Sequence, residues 1–325
     1  MKRYWLTLTL ITAAFLAALA VAGLRSTYVE DDPLEIVVVL KAMSPQMEFW
    51  QVVRQGIETA AREHQVTTEI VGPWLEQEVG EQIDILGRVI ASNPDGILLA
   101  ASDYDRLAEP VRVASQAGIP VVTVDSDVDS DQTIAFVGTN NTQAGRRAAE
   151  ELLALVDDTA RIAIVSHVPG AATAREREAG VRQVLEEDFH GTVIGPEYAM
   201  NNEARARDIV ARLTKDPNPV DAIVALNETS TVGVGRAIVE LGLTGSVSVV
   251  GFDASTEEVS LLERGVVQAL VVQKPFNMGY ISLQTLAGWI RGEAVETRVD
   301  TGNAVVRREN MYDEEIQRLI FPLVR

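Results

Sequence analysis

Short clusters of polar and aromatic residues recur after apolar β-type runs along most of this chain. They are Glu48-Phe49-Trp50, Val124-Asp125-Ser126-Asp127, Ala174-Arg175-Glu176-Arg177, Leu226-Asn227-Glu228, Gly251-Phe252-Asp253 and Val272-Gln273. In open α/β sheets, side chains at the carboxyl ends of parallel strands point into the crevice that holds ligands. Aromatic plates, amides, carboxylates and a guanidinium converging there without a nucleophile suit a neutral, polyhydroxylated ligand such as a sugar. Such a molecule offers apolar C–H faces to rings and hydroxyls to donors and acceptors.

The elements needed to position these clusters are legible in the apolar pattern. Ile36–Leu40 is a nearly continuous β-branched run, as in a strand buried on both faces. Phe49, Val53, Ile57 and Ala60 recur at helical spacing through residues 47–64. Strands at 67–71, 96–100, 119–124 and 133–137 then alternate with helices at 79–92 and 104–117. The rhythm restarts with helices at 142–156, 172–188, 202–213, 229–241 and 256–264 between strands at 161–166, 192–195, 222–225, 247–251 and 269–272. A last long helix is predicted at 278–291, and residues 311–325 form an extension that could dock Ile316, Leu319 and Ile320. Strand–helix alternation implies parallel pairing and right-handed crossovers. The predicted fold is α/β, with two doubly wound parallel-sheet lobes and a cleft between them. One lobe comprises residues 33–139 and 274–302, the other 140–273 and 303–325. Crossing strands near 137–140, 272–274 and 299–303 would serve as the hinge.

At 325 residues the chain is long enough for two modest domains. A net charge of −19 argues against a nucleic-acid backbone as partner. With no cysteine, disulfides, thiolate catalysis, cysteine-ligated zinc and a lipobox are excluded. Lys2 and Arg3 precede an uncharged stretch from Tyr4 to Leu24. Residues 1–32 therefore read as an export signal plus linker, either cleaved after Ala20-Val21-Ala22 or retained as a membrane anchor.

Taken together and in order, the clusters resemble the ribose/galactose-type periplasmic sugar-binding proteins, type I periplasmic binding proteins that serve ABC transporters. Further anchors are Gly56, Pro94-Asp95-Gly96-Ile97, Ala117-Gly118-Ile119-Pro120-Val121 and Lys274-Pro275, so the resemblance runs from about Glu35 to Arg308. It implies a molecule that closes on one monosaccharide, a pentose or hexose, and hands it to an ABC permease. Aromatics of the first helix would sandwich the sugar ring, which nominates Phe49 and Trp50. Asp125 and the first arginine of the Arg-Glu-Arg box, Arg175, would bind hydroxyls; Asn227, Asp253 and Gln273 fall on matching positions. Arg177 reads as a surface charge bridging neighbouring glutamates, and Phe252 as packing.

The chain departs from the ribose pattern where Ser126 follows Asp125 and where Met200 and Asn201 replace a frequent aromatic, so Asn201 joins the candidates. Lys41, at the end of the first strand, could meet a hydroxyl or a carboxylate. Together with Asp125-Ser126-Asp127 it also resembles the autoinducer-2 binders of this fold. A membrane-tethered sensor module feeding a histidine kinase or chemoreceptor is the alternative function. A monomer without cofactor or metal is expected. Asp125, Asp127, Asp129 and Asp131 alternate as in a calcium loop, but Ser130 and Phe136 stand where that loop needs glycine and glutamate. Gly233-Val234-Gly235 lacks the third glycine of a dinucleotide fingerprint and reads as close helix packing. No Gly-x-Ser-x-Gly elbow or spaced histidine set supports an enzyme.

Overall fold

β-Branched and leucine-rich runs form the centre of each lobe, because a strand covered by helices on both faces must be apolar on both. The computed structural model describes residues 33–215 and 217–321, and the predicted export segment lies outside them, as do residues 322–325. The first sheet contains β1 (Leu34–Val39), β2 (Val66–Val71), β3 (Gly96–Leu99), β4 (Val121–Val124), β5 (Ala135–Gly138) and β11 (Arg298–Asp300). Its order is β11-β5-β4-β3-β1-β2, with every pairing parallel. The second contains β6 (Arg161–Ser166), β7 (Thr192–Tyr198), β8 (Ala222–Ala225), β9 (Ser248–Phe252), β10 (Ala269–Gln273) and β12 (Asn303–Arg307). Its order is β12-β10-β9-β8-β6-β7, and β12 runs antiparallel to β10. The second sheet is therefore mixed rather than purely parallel, because β12 enters it directly from β11 of the other sheet and runs back along β10.

Helices α1 (Glu48–His64), α2 (Val79–Ser92), α3 (Ala108–Gln116) and α9 (Pro275–Ile290) belong to the first lobe. Helices α4 (Asn141–Leu153), α5 (Ala172–Asp188), α6 (Glu203–Lys215), α7 (Glu228–Glu240), α8 (Thr256–Glu263) and α10 (Glu314–Ile320) belong to the second. Ile320 is buried in the second lobe's core, with Ile316 and Leu319 packed against it. Helix α3 starts four residues later than the periodicity suggests, because 104–107 is turn. Among the described residues no helix is long and apolar enough to cross a membrane.

In each lobe the helices that support the cleft cross at paired glycines. A methyl group at Gly56 would lie 2.1 Å from the Phe276 carbonyl oxygen, and one at Gly279 2.1 Å from that of Val53. In the other lobe a methyl at Gly145 would lie 2.2 Å from the Arg177 carbonyl oxygen, and one at Gly180 2.1 Å from that of Thr142. These approaches require glycine, and they fix the heights of α1 and α5, whose amino-terminal turns face the cleft.

Candidate functional site: an interlobe chamber

The carboxyl ends of β1, β4, β6, β8, β9 and β10 converge on one chamber between the lobes. Lys41, Phe49, Trp50, Asp125, Asn227, Asp253 and Gln273, all expected from the sequence, line it. Asp125 and Asp253 hold equivalent places in the two lobes, one residue beyond β4 and β9. Both adopt left-handed backbone, at φ 63° and 76°. A non-glycine residue there is strained, and such strain concentrates at ligand sites. The turn swings each carboxylate out of its sheet and over the cleft.

Lys41 is buried and its three donors are taken up by the protein. Its Nζ lies 3.2 Å from Glu76 and 3.1 Å from Asp125, and 3.4 Å from Thr173 Oγ1 of the other lobe. Burial alone would lower its pKa, but Glu76 and Asp125 outweigh it and raise the value, so the ammonium stays charged. The carboxylates that Lys41 meets are thus the protein's own. Asp253 accepts from Gln273 Nε2 at 2.7 Å and from the Glu228 amide at 3.1 Å. Burial pushes its carboxyl upward against the opposing pull of Arg177. Asn227 is both the cap of α7, accepting from Ser230 N at 3.1 Å, and a chamber wall. Its turn-forming and ligand-facing readings therefore coexist.

Several expected placements differ in the structure. Arg175 lies outside the chamber wall: its side chain is 49% exposed and pairs with Asp105 at 3.2 Å on the rim. The guanidinium in the chamber is Arg177, 2% exposed. It donates to Asn141 Oδ1 and the Leu226 carbonyl, both at 2.8 Å, and lies 4.5 Å above the Phe252 ring. The signal for Arg177 was present, because Ala174, Arg177, Val181 and Val184 share the buried face of α5 at helical spacing. Asn201 stands one step behind the wall, donating to Glu76 and accepting from Asn227 Nδ2 at 2.7 Å. Phe49 and Trp50 meet edge to face, with centroids 5.1 Å apart and planes at 87°. They form a corner rather than parallel plates.

The chamber also contains Met47, Glu76, His167 and Thr173, which lie outside the sequence clusters, and Glu228, for which the cluster with Asn227 indicates no role. His167 follows β6, a strand-end position that could have marked it. Glu76 lies on the loop after β2 and reaches the site only through tertiary contact. His167 Nε2 lies 3.0 Å from Thr173 Oγ1. Burial, with Arg177 and Lys41 nearby, pushes the His167 pKa well below its ordinary value, so its ring is neutral.

Burial lifts Glu228 to about 8; the Phe49 and Glu48 amides oppose that rise, and the Asp253 and Glu48 carboxylates add to it. The folded protein keeps this proton up to about 8, whereas the unfolded chain releases it near 4.5. The resulting stabilisation is complete below 4.5 and is lost as pH rises through 8. Asp253 and buried Glu258 act in the same direction. His167 acts in the opposite one: its contribution is present above 6.5 and fades as pH falls. Urea unfolding midpoints should therefore drop between roughly pH 6.5 and 8.5. Glu228→Gln should flatten that slope, and an unchanged slope would refute the assignment.

The profile of the periplasmic binding protein domain matches residues 36–294. The chain belongs to this family. Among curated periplasmic binding proteins it is 28% identical, over 261 residues, to the D-allose-binding periplasmic protein of Escherichia coli (strain K12), covering 78% of this chain and 83% of that one. It resembles the solved carbohydrate transporter solute binding protein from Agrobacterium radiobacter in complex with D-arabinose, with TM-score 0.86 and 30% identity. That match covers 89% of this chain and 99% of the other. An ABC transporter solute binding protein from Agrobacterium vitis with bound D-fucose gives TM-score 0.84 and 30% identity over 88% and 99% of the two chains. The two-lobed fold is thus that of the type I periplasmic binding proteins.

Proposed function

We propose that this periplasmic binding protein is an exported receptor that captures one uncharged monosaccharide and delivers it to an ABC importer. The supporting observation is the chamber itself, in which Phe49 and Trp50 from one lobe face Arg177, Asn227 and Asp253 from the other. Rings suit the C–H face of a pyranose or furanose, and charged groups give hydroxyl hydrogen bonds of about 1.5–3 kcal/mol against about 1 for neutral ones. A buried group left unmet by the wrong epimer supplies the selectivity. Relatives that bind allose, arabinose and fucose agree with this ligand class. Contacts from both lobes would shift the molecule toward closure about the three crossing segments.

Calorimetry with the purified protein across D-allose, D-ribose, D-arabinose and D-fucose should find at least one ligand at micromolar affinity or tighter. No heat from any of them at millimolar concentration would overturn the proposal. Both cations of the chamber, Lys41 and Arg177, are already engaged by protein acceptors, and the Glu76 and Asp125 carboxylates stand beside Lys41, so no free positive charge awaits an anionic ligand. Uronic acids and sugar phosphates should accordingly bind at least about 100-fold more weakly than the parent sugar, because like charges brought together cost several kcal/mol. Equal affinity for a sugar and its uronate would contradict that charge assignment.

A further inference from the structure

Helix α1 begins without a cap of its own, since Met47 provides no side-chain acceptor for its first amides. Those amides would ordinarily need a local acceptor or water. Here the acceptor comes from the opposite lobe: Glu228 takes the Glu48 amide at 3.1 Å on one oxygen and the Phe49 amide at 3.0 Å on the other. The arrangement is reciprocated. Glu48 Oε2 accepts from the Thr256 amide and the Thr256 hydroxyl, both at 3.0 Å, at the start of α8 in the lobe that carries Glu228. Each lobe thus places carboxyl oxygens on the other's helix terminus, where they accept from amides that the helix itself leaves unpaired.

We propose that Glu48 and Glu228 form a reciprocal interlobe clasp that positions the lobes for capture and sets how long a bound sugar is retained. The inference rests on the ligand reading above, but the clasp itself consists only of protein groups. Glu228 also lines the chamber, whereas Glu48 does not. Glu48 is exposed, and its removal leaves every chamber wall in place. The two members therefore separate closure from sugar contact. When the lobes part, four hydrogen bonds break together and α1 loses its cap, so the clasp acts on opening more than on encounter.

The test uses the full chain with Glu48→Ala and Glu48→Gln, the second retaining an amide oxygen that can accept. Small-angle scattering without sugar should show Glu48→Ala more extended than the unaltered protein, with Glu48→Gln between them. With the tightest sugar of the calorimetric panel, all three should reach the same compact form. Stopped-flow mixing should show dissociation from Glu48→Ala faster by about tenfold or more, with association within twofold. Glu48→Gln should recover part of the difference. Sugar-free scattering identical in all three proteins, or dissociation within twofold of the unaltered rate, would overturn the clasp. If no sugar binds the unaltered protein, the ligand reading fails, and the sugar-free scattering still decides the clasp.

Discussion

Arg177→Ala should weaken sugar binding by about 2–4 kcal/mol, roughly 30- to 1,000-fold, whereas Arg175→Ala should change it less than about fivefold. The contrast follows from where two arginines of one helical turn are directed. Arg177 is buried among Asn141, the Leu226 carbonyl and the Phe252 ring and faces the ligand space. Truncation removes a charged donor from the ligand and leaves those acceptors unmet. Arg175 spends its charge on Asp105 in an exposed rim pair, the kind worth about 0–1 kcal/mol. Arg177→Met, which keeps an unbranched chain over Phe252, separates lost binding from lost packing. Calorimetry on the three variants decides the matter. Near-unaltered affinity in both Arg177 variants, or a large loss in Arg175→Ala, would return the role to Arg175.

Lys41→Met should lower the unfolding free energy by about 3–5 kcal/mol and abolish measurable sugar binding. The single ammonium is shared by Glu76 and Asp125, whose side chains are 4% and 5% exposed. Removing it leaves two buried carboxylates facing each other with no cation between them. One must then take up a proton, which costs free energy at neutral pH and less in acid. The deficit of Lys41→Met in urea unfolding should therefore shrink as pH falls toward 5. Adding Glu76→Gln and Asp125→Asn to Lys41→Met should restore most of the stability, because a charge-free cluster carries no desolvated carboxylate. Binding should stay lost, since Asp125 is itself a chamber wall. A stable Lys41→Met protein at pH 7 would show that the buried ion cluster is not what holds this end of the first sheet.

The clasp and the ion cluster act on different parts of the same event. Lys41 fixes the carboxylates of one lobe before any ligand arrives, although its contact to Thr173 reaches across. Asn201 extends this chain, linking Asn227 of its own lobe to Glu76 of the other. Glu48 and Glu228 then hold the two helix termini together beside the chamber. A sugar entering this space meets groups already oriented by protein partners, which lowers the ordering cost of binding.

The sequence by itself determined the two-lobed alternation, the strand ends that carry the site and most of its walls. Buried parallel strands must be continuously apolar, so the first polar residue beyond each run is marked by contrast; Asp125, Asn227, Asp253 and Gln273 all stand out in this way. Tertiary structure decided the rest. Arg175 and Arg177 lie about 200° apart around α5, and both neighbour glutamates, so local composition favours neither. Helical spacing puts Arg177 on the apolar face of Ala174, Val181 and Val184, but only the packing of α5 against α4, where Gly145 admits the Arg177 backbone, directs that arginine to the chamber. Glu76 lies on a loop with no periodicity, and its partners Lys41 and Asn201 are 35 and 125 positions away along the chain. Glu228 reads locally as an ordinary acidic first-turn residue of its own helix. Its contact with α1 exists because two lobes meet, and a meeting of surfaces leaves no pattern in the spacing of residues along one of them.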